Sequence, residues 1–184
     1  MLVFYILQLL AVFNLATSVC GSNTTKIPVR LSRTGSQYIC PLTIGNPGET
    51  FNVVLDSGSA NLWVYSTFMP TSEIVGQHNI YDPSKSNTSV NLHKTFNITY
   101  GDGSAATGYV FNDTVNLRGI VIKNQQVEAV AQLSGKVIDA DVDVILGLSL
   151  GGDSVRPAPV PTTPKFVFAH AQVASVYVCA YSTE

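Results

Sequence analysis

From Tyr38 onward, short apolar runs alternate with turn signals every 8 to 14 residues, and this spacing constrains the fold more than any other feature. Phe51-Asn52-Val53-Val54-Leu55 reads as a strand that stops abruptly at Asp56-Ser57-Gly58. Phe96-Asn97-Ile98-Thr99-Tyr100 alternates, meets Gly101-Asp102-Gly103-Ser104 and resumes at Tyr109-Val110-Phe111, a β-hairpin with Asp-Gly at its tip. Residues 142–148 form an apolar run suited to a strand buried on both faces. Residues 151–164, with Pro157, Pro159, Pro161 and Pro164, read as a loop, and residues 173–181 as one last strand. No amphipathic helix and no internal repeat stand out. The class expected is all-β, and 184 residues suffice for one domain of ordinary size. A hydrophobic share of 46% excludes a disordered tail, and a net charge of -2 without a basic cluster argues against nucleic acid as a partner.

The N-terminus has a different character. Residues 1–16 are apolar except for Gln8 and Asn14, a run short of the roughly 20 residues of a membrane span. The small residues Ser18 and Cys20 follow, so residues 1–20 are expected to be a secretory signal peptide cut after Cys20, although no Lys or Arg precedes the run. An uncleaved anchor is the alternative. Once the signal is cut, no membrane contact is expected, and the chain is expected to be secreted or to reach the endo-lysosomal lumen. Residues 21–36, polar and carrying Lys26, Arg30 and Arg33, read as a linker or the remnant of a pro-segment, leaving residues 37–184 as the domain. Four sequons, at Asn23, Asn87, Asn97 and Asn112, favour a glycosylated surface. Cys40 and Cys179 are either bridged by a disulfide or two buried thiols, and both alternatives stand. Two cysteines and three scattered histidines (His78, His93 and His170) have no metal-ligand spacing, so neither metal nor cofactor is expected.

Chemistry enters at Val53-Val54-Leu55-Asp56-Ser57-Gly58-Ser59. A carboxylate directly after a buried strand is held rigidly and partly desolvated, Gly58 lets the backbone bring amide N–H groups near it, and Ser57 and Ser59 can donate to it. Alone, Asp-Ser-Gly is an ordinary turn. Its surroundings are not ordinary. Asp56-Ser57-Gly58-Ser59-Ala60-Asn61-Leu62-Trp63-Val64 closely resembles the first active-site segment of pepsin-like aspartic endopeptidases, and so does the stretch from Tyr38-Ile39 to Ile44-Gly45-Asn46-Pro47 ahead of it. Tyr81-Asp82-Pro83-Ser84-Lys85-Ser86 resembles the loop that follows in that family, Ile98-Thr99-Tyr100-Gly101-Asp102-Gly103-Ser104 its flap, Asp143-Val144-Ile145-Leu146-Gly147-Leu148 its hydrophobic-hydrophobic-glycine segment, and Ser175-Val176-Tyr177-Val178 the strand leaving its first lobe. The motifs run in family order over residues 37–181.

The resemblance implies an all-β pepsin-like N-terminal lobe with Asp56 as one of two catalytic aspartates. It places Ser57 in the hydrogen-bond bridge between two active-site loops and Ser59 on the Asp56 carboxylate. Tyr100 would lie on the flap with its hydroxyl towards Trp63, and the backbone of Gly101 and Asp102 would pair with a peptide or protein substrate. Such an enzyme activates one water between two carboxylates that share a proton. The chain departs from the family in having no second Asp-Thr/Ser-Gly after Gly147, no cysteine pair after Trp63, and Val144 where a small residue is usual. The expectation is therefore half an active site, with a second lobe or a second copy of the chain as the completing partner. Two other functions compete. One is a secreted lobe that binds peptides or a partner without cutting, beside which stands the reading that the sequence is an incomplete copy of a two-lobe protease. The other is a serine esterase using Ser149, since Gly147-Leu148-Ser149-Leu150-Gly151 has the nucleophile-elbow pattern, although the prolines and the β-rich spacing deny the helix and α/β order that pattern needs.

Overall fold

Strict alternation in the central strands decides where the core lies. The computed structural model describes residues 24–56, 58–135, 141–148, 166–172 and 175–180, and side chains within 27–56, 58–135 and 141–148. The leader, Asn23, Ser57, Ser149 and the proline-rich loop at 151–164 lie outside the described residues. The strands are β1 (Thr24–Pro28), β2 (Arg30–Leu31), β3 (Tyr38–Ile44), β4 (Glu49–Asp56), β5 (Leu62–Tyr65), β6 (Val90–Thr99), β7 (Ala105–Leu117), β8 (Ile120–Ser134), β9 (Val144–Gly147), β10 (Phe166–Gln172) and β11 (Ser175–Ala180). The helical turns among the described residues are two short 3-10 segments, Thr71–Glu73 and Pro83–Lys85. The all-β expectation is met.

Eight strands form one sheet in the order β2-β3-β4-β9-β5-β8-β7-β6, and β1, β11 and β10 form a second. β3 also pairs with β7, through Thr43 with Asn116 and Ile44 with Val115, which closes β3, β4, β9, β5, β8 and β7 into a ring. Inside it, Phe51 and Val53 of β4, Leu62 and Val64 of β5, and Val144 and Leu146 of β9 pack with Leu42, Ile44, Val115 and Leu117. The intervening residues Val54, Trp63, Tyr65 and Ile145 face a second cluster with Ile39, Phe96, Val110 and Val130. β5 and β9 are buried at every position, as a continuous apolar run requires when both faces are covered. Val144, the departure from the family's small residue, is fully enclosed in the first cluster.

β7 and β8 are long, and irregularities at Thr107/Gly108 and Asp113/Val115 let them bend around the ring. Gly108 stands where a β-carbon would meet Ala129 O at 2.1 Å, so only glycine fits there. β6 and β7 form the expected hairpin, with Tyr100–Ser104 as its tip.

Three features add to the sequence reading. The stretch 21–36, read as a linker or the remnant of a pro-segment, contains two strands: β1 pairs with β11, β2 pairs with β3, and Ile27 lies fully buried in the first cluster. A strand whose one aliphatic residue, Ile27, follows Thr24, Thr25 and Lys26 has too little apolar periodicity to be recognised. The final strand is preceded by β10, which directly follows the proline-rich stretch and pairs antiparallel with β11. Of the two cysteine alternatives, the buried thiol holds for Cys40, which is free on β3 opposite Val53, while the Cys179 backbone pairs with Thr24 in the other sheet. Burial pushes the Cys40 thiol up to about 12.

Two buried carboxylates tie the long connection between β5 and β6 to the ring. Asp113 accepts from Tyr81 Oη (2.8 Å), Ser86 Oγ (2.9 Å), Thr88 Oγ1 (2.5 Å) and Thr114 N (2.7 Å). Asp143 accepts from Asn52 N (2.8 Å), Asn79 N (3.1 Å) and Asn79 Nδ2 (3.0 Å), and faces His78 Nδ1 at 3.3 Å. Burial raises the Tyr81 phenol above its usual range, and the Ser89 hydroxyl opposes this. Asp113→Ala leaves donors of the Tyr81 loop without an acceptor and is expected to cost about 3 kcal/mol of unfolding free energy. Tyr81→Phe removes one donor and is expected to cost about 1 kcal/mol, both read from urea midpoints.

Candidate active site

Asp56 ends β4, and its backbone is held from below. β9 lies between β4 and β5, parallel to the first with Asp56 opposite Gly147, and antiparallel to the second. Leu148 N donates to Asp56 O (2.7 Å), and Gly147 N donates to Asn61 O (2.8 Å). The loop from Asp56 to Asn61 thus crosses the end of β9 in direct contact. A β-carbon at Gly147 would stand 2.5 Å from Ser59 O and 2.6 Å from Asn61 N. The glycine of the hydrophobic-hydrophobic-glycine segment is required by this crossing.

Above that support the carboxylate is held at both oxygens. Gly58 N donates to Asp56 Oδ1 (2.8 Å) and Ser59 Oγ to Asp56 Oδ2 (2.5 Å). Asp56 and Ser59 are half-buried and Gly58 is exposed, so the carboxylate is fixed without being sealed from solvent. An ionised carboxylate accepting from one amide and one hydroxyl retains lone pairs for a water or a substrate. Ser57 lies outside the described residues.

The hairpin tip reaches the same end of the sheet. Trp63, fully buried, donates through Nε1 to Tyr100 Oη at 2.6 Å. Burial raises the Tyr100 phenol above its usual range; the charges of Asp56, Glu128 and Asp102 push the same way, and the Trp63 hydrogen bond opposes them. Tyr100 N donates to Ser104 O (2.8 Å) and Gly103 N to Tyr100 O (3.0 Å), closing the turn. Gly101 and Asp102 are exposed at the tip. Asp102 Oδ1 accepts from Ser104 N (2.9 Å) and Ser104 Oγ (2.6 Å), which holds its carboxyl below the usual range. Asp102 is therefore part of the turn's own framework.

The structure thus brings Asp56, Gly58, Ser59, Trp63 and Tyr100 to one end of the ring, with Gly101 and Asp102 at the hairpin tip. Sequence reasoning missed Asn61 and Glu128. Asn61 Nδ2 donates to Glu128 Oε1 at 2.8 Å, and both residues are buried beneath the Asp56 loop. The available signal was Glu128 within Val127-Glu128-Ala129-Val130-Ala131, an acid inside a run otherwise suited to a core strand. Among the described residues, no group of three or more His, Cys, Asp and Glu is placed to hold a metal ion. Of the sequons, Asn87 and Asn97 are exposed, whereas Asn112 is half-buried with its Oδ1 enclosed and lacking a hydrogen-bond partner.

Gly147→Ala is expected to push the loop carrying Ser59 and Asn61 away from β9, at a cost of about 1–3 kcal/mol. Thermal unfolding measures that cost, and amide exchange at Gly58 and Ser59 reports the loosened loop; unchanged values in both would contradict the close crossing.

Comparison with known proteins agrees with this geometry. Residues 37–181 match the family described as eukaryotic aspartyl protease. The chain is 38% identical over 160 residues to endothiapepsin of Cryphonectria parasitica, covering 86% of this chain and 36% of that protein. It is 41% identical over 128 residues to aspergillopepsin-1 of Aspergillus flavus (68% of this chain, 31% of that protein) and 42% identical over 123 residues to penicillopepsin-1 of Penicillium janthinellum (66% and 37%). The chain therefore spans about one third of the length of the curated relatives it matches. With its motifs in order, its Asp56 loop over β9 and its Trp63–Tyr100 contact, the chain belongs to the eukaryotic aspartyl protease family and has the architecture of one pepsin-like lobe.

Proposed function

We propose that this chain supplies one half of an aspartic endopeptidase site, with Asp56 as one of two carboxylates that activate a water for attack on a peptide bond. The observation that carries the reading is the Asp56 carboxylate held at the end of a buried strand by Gly58 N and Ser59 Oγ. In the complete site an ionised carboxylate takes a proton from water while its oxygen adds to the carbonyl carbon, and the protonated partner gives its proton to the carbonyl oxygen. The tetrahedral diol then collapses as a proton passes to the nitrogen and the C–N bond breaks. Asp56 contributes one carboxyl, Ser59 and Gly58 fix its oxygens, and Tyr100 with the backbone of Gly101 and Asp102 covers an extended substrate. The second carboxyl comes from a further lobe or from a second copy of the chain. Without it no acid faces the carbonyl oxygen, a loss of about 10²–10⁴-fold before the missing half of the cleft is counted.

Gel filtration beside a peptide-cleavage assay at mildly acidic pH tests this. The monomer is expected to be inactive. Turnover is expected with self-association, or with a supplied second lobe from a pepsin-like relative, and is expected to vanish in Asp56→Asn. Turnover from a confirmed monomer would overturn the two-carboxylate reading; peptide binding without turnover in the assembled form would favour a silent binding lobe.

The same reading places the chain in the secretory pathway, supported by the apolar leader and the sequons. Cleavage after Cys20 leaves β1, which begins at Thr24, intact. N-terminal sequencing of the product from a eukaryotic host is expected to begin at Gly21; an intracellular, unglycosylated product would overturn this placement.

A further inference from the structure

On the outer side of the β6–β7 hairpin lies a groove of about 550 Å³, within the range of small-ligand clefts (about 300–1,000 Å³). Its floor is one face of the sheet. Thr95 pairs with Tyr109 and Asn97 with Thr107, so these four residues share that face, and Thr107 continues the row to Gln132 of β8. Phe68 reaches in from the loop after β5 and meets Tyr109 edge to face, with ring centroids 5.0 Å apart. The outer parts of both rings are uncovered: Phe68 is 42% exposed and Tyr109 44%. Two adjoining aromatic rings beside a row of Thr, Asn and Gln side chains form a surface with an apolar platform and polar borders.

That is the chemistry of a sugar-binding surface. A pyranose presents a face of C–H groups to an aromatic ring and hydroxyls at its edge to polar side chains. The chain can also supply the sugar. Asn97, exposed and lining the groove, begins the sequon Asn97-Ile98-Thr99. β6 lies at the end of the eight-stranded sheet, so no further strand of that sheet competes for the space beside it. Asn87, the other exposed sequon residue, does not line the groove, and Asn112 is half-buried.

We infer that Asn97 carries an N-linked glycan whose first sugars lie in this groove against Phe68 and Tyr109, so that the chain is itself the receptor for its own modification. The inference rests on passage through the secretory pathway. There the Asn97 amide nitrogen displaces lipid pyrophosphate from C1 of the first N-acetylglucosamine of a lipid-linked oligosaccharide. The N–C1 bond forms, the C1–O bond to pyrophosphate breaks, and the amide gives up one proton.

The chain secreted from a eukaryotic host behind a supplied leader tests this, whatever its own leader does. Glycopeptide mass spectrometry is expected to find Asn97 occupied, and in the native protein an endoglycosidase is expected to trim that glycan more slowly than one on Asn87. In Phe68→Ser/Tyr109→Ser the trimming at Asn97 should accelerate about tenfold, the factor that matches loss of about 1.4 kcal/mol of contact. If that variant does not fold, the wild-type protein decides: the NMR ring signals of Phe68 and Tyr109 should shift when the glycan is removed. A secreted chain bare at Asn97 overturns the inference, as do equal trimming rates or unmoved ring signals. A bare Asn97 in a dimer that the same substitutions dissociate would assign the groove to a second copy and overturn it equally. None of these outcomes depends on peptide cleavage, so failure of the proposed activity is distinguishable from failure here.

Discussion

The rest of the site depends on one close approach of backbone to backbone. β9 is threaded between β4 and β5, and the chain between those two strands must cross its end. At Gly147 the crossing leaves no room for a side chain, and two main-chain hydrogen bonds, Leu148 N to Asp56 O and Gly147 N to Asn61 O, fasten the loop at both of its ends. A carboxylate on a mobile loop would sample many positions. This one is carried by backbone that the central strands of the ring hold in place, and its oxygens meet donors two and three residues along the same loop. Positioning is thereby achieved from within the lobe, with the half-buried carboxylate still open to solvent on one side.

The connection between β5 and β6 follows a different logic. It contains little regular structure, so its backbone and side chains need other partners, and Asp113 and Asp143 act as acceptor hubs projecting from the ring. Each is buried and surrounded by donors, which is the condition under which a buried carboxylate is tolerated. Removing one hub therefore disturbs several loop residues together.

Much of this was legible in the sequence. The strand ending at Asp56, the hairpin around Tyr100 and the doubly buried run before Leu148 all announced themselves, because period-two alternation and Asp-Gly turns act locally and leave local traces. The Trp63–Tyr100 contact was legible only through family resemblance, since a contact between residues so far apart in the chain leaves no periodic signal. What stayed hidden was long-range and polar. Nothing near Asp113 announces that Tyr81, Ser86 and Thr88 converge on it, and nothing near Glu128 points to Asn61. β1 was hidden for a different reason: its one aliphatic residue, Ile27, makes no period-two pattern, and its partner β11 lies at the far end of the chain.

Closing the ring through β3 and β7 also changes what the molecule presents to its neighbours. An open sheet has two free rims, each a template on which another chain can add a strand. In the eight-stranded sheet one rim is the two-residue β2, too short to recruit much, and the other is β6. β6 is ten residues long, but an irregularity between Asn91 and Lys94, with His93 at φ 53°, breaks its straight run, and Lys94 and Asn97 are exposed along it. A bend and a charge on a rim discourage edge-to-edge stacking. The strand that carries the hairpin is in this way poorly suited to seed aggregation, so the sheet can keep one long rim without offering it to other molecules.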